Sequence, residues 1–121
     1  MKKILLVLIL LVFSSLSIAQ NKIESYALAI GHWNRYLKQF QYESPIYCSI
    51  SFYFQRNVII ANDVAKSTYY TYNCIEANDF LASWNAYDEE ERNCIVSLIY
   101  GETTYFIVAY KDVCYRYYVN M

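Results

Sequence analysis

The N-terminal segment constrains this chain most, because it limits how much of the sequence can fold. Lys2 and Lys3 precede an apolar run over residues 4–13, and Ser17-Ile18-Ala19 follows it. A positive start, a short apolar core and small residues before a cleavage point are typical of a secretory signal peptide. A membrane anchor is the alternative, but the run has about half of the roughly 20 apolar residues needed to cross a bilayer. We therefore predict that residues 1–19 are a signal peptide and that the mature protein is secreted, with no membrane segment.

The predicted mature part, residues 20–121, is long enough for one compact domain and too short for two. The chain has 10 basic and 11 acidic residues, and the signal peptide removes two of the lysines. The domain is therefore acidic, which argues against a nucleic-acid partner, since nucleic acid attracts clustered Lys and Arg. It keeps all 15 tyrosines and has only two glycines and one proline. Aromatic side chains pack well on pleated strands, so this composition favours β-structure.

Four cysteines lie in the predicted mature domain: Cys48, Cys74, Cys94 and Cys114. An even number in a short exported domain usually indicates disulfides, and three connectivities are open. In an antiparallel hairpin, opposed residues straddle the turn, and Cys48 and Cys74 straddle the turn-like Asn62-Asp63. In the same way, Cys94 and Cys114 straddle residues 101–104. We therefore favour the disulfides Cys48–Cys74 and Cys94–Cys114. Zinc is not expected, because no two cysteines are close in sequence.

Periodicity predicts one helix followed by a sheet. Apolar residues recur at helical spacing over residues 23–40, and Ser44-Pro45 marks the end of this helix, because the residue before proline avoids helical geometry. Apolar and polar residues then alternate over residues 46–55, which predicts a half-buried strand. Further strands are predicted over residues 67–74, 94–100 and 105–110, with a short helix or ordered loop over residues 76–92. Residues 113–119 either extend the strand over residues 105–110 or form another strand. The predicted fold class is α+β, with one long N-terminal helix packed on a four- to five-stranded antiparallel sheet.

Three stretches together resemble one known family. Residues 28–35 (Leu-Ala-Ile-Gly-His-Trp-Asn-Arg) are similar to the helix signature Phe-Ala-Val-x-x-(Tyr/His)-Asn-Lys. Residues 58–62 (Val-Ile-Ile-Ala-Asn) stand where the same family has Gln-x-Val-x-Gly, and Cys94 and Cys114 enclose a span like that of its last disulfide hairpin. These are features of the cystatins, which are secreted inhibitors of papain-like cysteine proteases. The resemblance implies a cystatin-like fold, in which a sheet wraps the long helix.

The resemblance also implies a binding function that two hairpin loops carry. The inhibitory loops would be Val58, Ile59, Ile60, Ala61 and Asn62 for the first, and Gly101, Glu102 and Thr103 for the second. The implied partner is a papain-like cysteine protease. Inhibition is expected to be weak, because Val58 replaces the Gln of the family motif and Glu102-Thr103 replaces its Pro-Trp pair.

A tyrosine-rich sheet face is the alternative binding site. Tyr47 and Tyr53 lie on the side of the predicted 46–55 strand that faces away from its apolar residues. An exposed tyrosine combines a large apolar body with a polar tip, which suits a recognition surface. The protein would then be an extracellular module that binds a peptide or a glycan. Cross-strand packing for stability is the simpler interpretation of the same rings.

No residue pattern indicates an enzyme or a cofactor. His32 is the only histidine, and full pairing of the cysteines would leave no thiol for it to activate. Glu89, Glu90 and Glu91 lack the spaced, glycine-containing loop of a calcium site. We therefore expect a binding protein with no catalytic residue, no metal and no cofactor.

Overall fold

The computed structural model describes residues 22–62 and 66–120. Its nine strands are β1 (Lys22–Asn34), β2 (Gln39–Tyr42), β3 (Ile46–Gln55), β4 (Val58–Asn62), β5 (Thr68–Ala77), β6 (Leu81–Tyr87), β7 (Asn93–Ile99), β8 (Thr104–Ala109) and β9 (Val113–Asn120). The predicted signal peptide lies outside the described residues. The predicted α+β class is wrong, because these two described ranges contain no helix and all of their strand pairings are antiparallel.

The sheet closes on itself into a barrel. Strands β3 to β9 pair in sequence order, and β9 also pairs with β1, where Ala29 lies opposite Arg116. The first half of β1 pairs with β3, and its second half pairs with β2, where Trp33 lies opposite Phe40. Eight strands therefore form the barrel, and β2 is an additional strand beside β1. A barrel of eight strands is wide enough to be filled by side chains or to hold one small ligand.

Strand β1 stands where the sequence predicts the long helix, and its two covered faces explain the error. On the inner face, Ile23 and Leu28 pack against the barrel core. On the outer face, Ala27 and Ala29 are also buried. A β-bulge between Ser25 and Ala27 shifts the alternation by one residue. Apolar residues on both faces, together with this shift, imitate the three- and four-residue spacing of an amphipathic helix.

Strand β2 covers the outer face of β1 through Tyr42. A β-carbon at Gly31 would lie 2.9 Å from Tyr42 Cε1, so this close approach requires glycine. The Tyr42 hydroxyl lies 3.1 Å from Cys114 Sγ, and the Arg116 guanidinium lies 3.7 Å from the centroid of the Tyr42 ring. These contacts hold β2 against the barrel wall.

Aromatic rings fill the middle of the barrel. The ring centroids of Phe52 and Phe106 are 4.6 Å apart, and those of Phe52 and Tyr117 are 4.7 Å apart. Leu98 and Val108 are buried in the same cluster. Aromatic pairs at these distances stabilise a core beyond the burial of their area. The centre of the barrel is therefore a packed core.

The predicted disulfides are wrong, because all four cysteines are free thiols. For Cys48 and Cys74 the reason is an unrecognised strand. The chain turns at Arg56-Asn57, where Asn57 adopts a φ of 61°, and β4 then lies between β3 and β5. Strands two places apart are separated by about 9–10 Å, which exceeds the reach of a disulfide.

For Cys94 and Cys114, strand β8 intervenes and the two side chains also face opposite ways. Ala109 lies opposite both Ile95 and Cys114, so these three residues share the outer face of the barrel. Cys94 is one position before Ile95 and belongs to the buried interior cluster. A one-residue offset turns a strand side chain to the other face of the sheet.

Candidate ligand-binding site

The turns of the barrel fall on two rims. The upper rim carries the β6–β7 turn (residues 88–92) and the β8–β9 turn (residues 110–112). The lower rim carries the β3–β4 turn (residues 56–57) and the β7–β8 turn (residues 100–103). The second predicted inhibitory loop is therefore on the lower rim.

The first predicted inhibitory loop, Val58–Asn62, is not a loop, since it forms β4 and ends at the upper rim. Ile59 and Ala61 are buried in the core, and Ile60 pairs with Tyr53 on the neighbouring strand. The two predicted loops therefore lie apart, and part of the first is buried. It does not form the two-loop edge that the cystatin resemblance implies.

The alternative binding face is also divided. Tyr47 is 86% exposed near the upper rim, whereas Tyr53 is partly buried near the lower rim, with Lys22 Nζ 6.0 Å from its ring centroid. Both rings are on the outer face of β3, but six residues of strand place them about 20 Å apart. The structure does not bring these two tyrosines into one site.

A cavity of about 630 Å³ opens at the upper rim, and we call it the mouth. Four tyrosines line it: Tyr69 on β5, Tyr110 in the β8–β9 turn, and Tyr115 and Tyr117 on β9. Tyr115 and Tyr117 are two residues apart, so strand alternation points both rings to the same side. Tyr117 also contacts Phe52, which places the floor of the mouth on the packed core.

Asp88 organises the wall of the mouth. Its Oδ2 accepts hydrogen bonds of 2.8 Å from Arg92 Nε and from the Tyr110 hydroxyl. Its Oδ1 accepts hydrogen bonds of 2.9 Å from the backbone amides of Glu90 and Arg92. The carboxylate therefore fixes the β6–β7 turn and ties it to the β8–β9 turn.

These contacts also determine the protonation states of Asp88 and Tyr110. Burial alone would raise the pKa of Asp88, but the hydrogen bonds from the Arg92 amide, Tyr110 and the Arg92 guanidinium outweigh it and lower the pKa. Burial and the hydrogen bond to Asp88 raise the pKa of Tyr110. At neutral pH, Asp88 is therefore a carboxylate and Tyr110 is a neutral donor.

The mouth carries an excess of negative charge. Its lining includes four acidic residues and two basic ones: Asp88, Glu89, Glu90, Asp112, Arg92 and Lys111. The Arg92 guanidinium is held by Asp88 and lies 3.8 Å from Glu90. Glu89 accepts a hydrogen bond of 2.6 Å from the Thr68 amide. The electrostatic field in the mouth therefore favours a positively charged group.

The Cys94 thiol and the His32 ring, which are residue types used in nucleophilic catalysis, lie in separate surroundings. Burial, followed by the charge of Asp88, raises the pKa of the Cys94 thiol to about 11, so it is not a thiolate at neutral pH. His32 is on the surface, where its Nε2 lies 2.7 Å from Glu43. Within residues 22–62 and 66–120, no group of three His, Cys, Asp or Glu side chains is placed to hold a metal ion.

Sequence reasoning missed the mouth. The sequence predicts a short helix or ordered loop over residues 76–92, whereas β6 occupies Leu81–Tyr87 and Asp88 is the hydrogen-bond acceptor of the tight turn that follows. A signal was present, since an aspartate that begins a polar turn often accepts hydrogen bonds from amides further along. The two-residue spacing of Tyr115 and Tyr117 was a second signal, because it places both rings on one face of a strand. That face predicts a shared cavity only if β9 is known to line the inside of a barrel.

Comparison of the chain with protein-family models, with curated proteins and with solved structures finds no match. In the part of the chain that the structure describes, no helix is long and apolar enough to cross a membrane.

Proposed function

We propose that this protein is an exported binding protein that holds a small organic cation in the mouth of its barrel. The observation that carries the proposal is the cavity of about 630 Å³ whose wall combines four tyrosines with an excess of carboxylates. Export rests on the signal-peptide pattern of residues 1–19.

The size and position of the cavity support a small ligand. Ligand sites commonly measure about 300–1,000 Å³, and the mouths of β-barrels are among their preferred places. The wall is tied together by the hydrogen bonds of Asp88, so it is largely formed before a ligand arrives. A preformed wall reduces the entropy lost on binding.

The chemistry of the wall supports a cation. The face of a tyrosine ring attracts a cation that lies within about 6 Å of its centroid. The protein already uses this contact, since the Arg92 guanidinium lies 5.2 Å from the centroid of Tyr110. Tyr115 offers a second ring to the same cavity, and Glu89 and Asp112 add negative charge.

Calorimetric titration with choline and with its uncharged isostere, 3,3-dimethylbutan-1-ol, tests the proposal. Choline is expected to bind several-fold more tightly, because a cation–π contact contributes roughly 0.5–2 kcal/mol. Tyr115→Leu should weaken choline binding by about 2- to 30-fold, whereas Tyr115→Phe, which keeps the ring, should not. Equal binding of the two isosteres, or no binding of choline by the folded protein, would contradict the proposal.

A further inference from the structure

A second cavity lies on the outer wall beside the mouth, and we call it the outer groove. It measures about 610 Å³. Trp33 and Phe40 of the β1–β2 hairpin form one side, with ring centroids 5.2 Å apart. Tyr72 and Ile95 form the other side, and the small side chain of Ala109 lies between the two sides. The outer groove is therefore mainly aromatic and aliphatic.

The walls of the outer groove are open to solvent. Trp33 is 43% exposed, Ile95 is 42% exposed and Tyr72 is 61% exposed. Single exposed apolar residues are common, but apolar side chains that converge on one groove mark a binding surface. The position of the outer groove beside the mouth indicates which ligand it binds.

The two cavities share one wall. Asn93, Tyr110, Lys111 and Asp112 line both of them, so the β8–β9 turn separates the mouth from the outer groove. Two backbone hydrogen bonds hold this turn in place. The Tyr110 amide donates to Val113 O at 2.8 Å, and the Trp33 amide donates to Asp112 O at 2.9 Å. A ligand that leaves the mouth over this turn reaches the outer groove directly.

We infer that the ligand is an amphipathic cation, with its charged head in the mouth and its apolar tail in the outer groove. The inference rests on the proposed function, because it extends the same site. The polar and acidic lining of the mouth suits the head, and the groove offers an apolar surface for an alkyl or aryl tail. A tail that covers Trp33, Ile95 and Tyr72 removes their apolar area from water, which is favourable in proportion to that area.

Titration with a series of alkyltrimethylammonium ions, from tetramethylammonium to octyltrimethylammonium and below micelle formation, tests this inference. Affinity should rise by roughly fourfold for each methylene that enters the groove. Ile95→Asn should flatten this increase while binding of tetramethylammonium stays unchanged. Ile75→Asn is the matched control, because Ile75 is 48% exposed on β5 and lines neither cavity, so the increase should persist.

The outcomes separate this inference from the proposed function. If affinity for the series does not depend on chain length, the tail site is refuted and the mouth remains. If long chains bind as tightly to Tyr115→Leu as to the wild type, head and tail do not belong to one ligand, and the inference fails. If no member of the series binds the folded protein, both the inference and the proposed function are refuted.

Discussion

The Tyr110 hydroxyl donates a hydrogen bond of 2.8 Å to the buried carboxylate of Asp88, and this contact joins the two turns that frame the mouth. The same carboxylate binds Arg92 and two backbone amides of its own turn. One side chain thus determines the shape of the upper rim on which the proposed site depends.

Replacing Asp88 should therefore destabilise the protein. Asp88→Asn removes the charge that four donors share, and hydrogen bonds to a charged group contribute roughly 1.5–3 kcal/mol. We expect the free energy of unfolding in urea to fall by about 2 kcal/mol. Tyr110→Phe removes one of the four donors and should cost about 1 kcal/mol. An Asp88→Asn protein as stable as the wild type would contradict this role.

The contribution of Asp88 should depend on pH. Because the folded-state pKa of Asp88 lies below its unfolded value, its stabilisation is complete above the unfolded pKa and is lost as pH falls through the folded pKa. Wild type and Asp88→Asn should therefore differ most near pH 6 and converge below about pH 4. Urea unfolding at several pH values measures this difference, and a gap that widens on acidification would exclude the assigned shift.

The four cysteines should react as free thiols. In the folded protein, Cys74 should react first with a thiol reagent, because it is exposed, and Cys114 and Cys94 should react slowly, because they are buried. Burial also keeps Cys94 protonated, with a pKa of about 11. The Cys74→Ser variant should lose the fast phase. Unfolding without reductant should expose four reactive thiols. A count of two or none would show that the protein contains a disulfide.

Gly31 should tolerate no side chain. A β-carbon there would lie 2.9 Å from Tyr42 Cε1 and 3.3 Å from Cys114 Sγ. Gly31→Ala is expected to lower the free energy of unfolding by roughly 1–3 kcal/mol, as overpacking does. Gly101→Ala is the matched control, because a β-carbon there would lie 3.4 Å from its nearest neighbour, Thr103 O, which is an ordinary van der Waals distance. Thermal unfolding of both variants measures the difference, and equal melting temperatures would argue against the close approach of β2.

Local patterns predicted the strands that have one covered face, and they failed where tertiary structure covers both. The alternation of residues 46–55 predicted a strand, and β3 has these bounds. Strand β1 is covered inside by the core and outside by Tyr42, so its apolar spacing no longer reports the element type. The cystatin resemblance places residues 58–62 in a loop, whereas they form β4, which lies between the two strands that the predicted Cys48–Cys74 disulfide would join.

The mouth could not be predicted for a related reason. Its tyrosines come from β5, β9 and a turn, which are far apart in sequence, and only barrel closure brings them together. Closure depends on the pairing of β1 with β9, which are the first and the last of the strands that the structure describes. The sequence shows the aromatic content, but not which rings share a cavity.

The position of a bound cation would show whether the mouth is the binding site. Nuclear Overhauser effects between the N-methyl protons of choline and the ring protons of the protein report contacts within about 5 Å, the range in which a cation–π contact operates. We expect contacts to the rings of Tyr110 and Tyr115. Contacts confined to the stacked outer rings of Tyr70 and Tyr87, whose centroids are 5.2 Å apart, would contradict it and would place recognition on the outer wall.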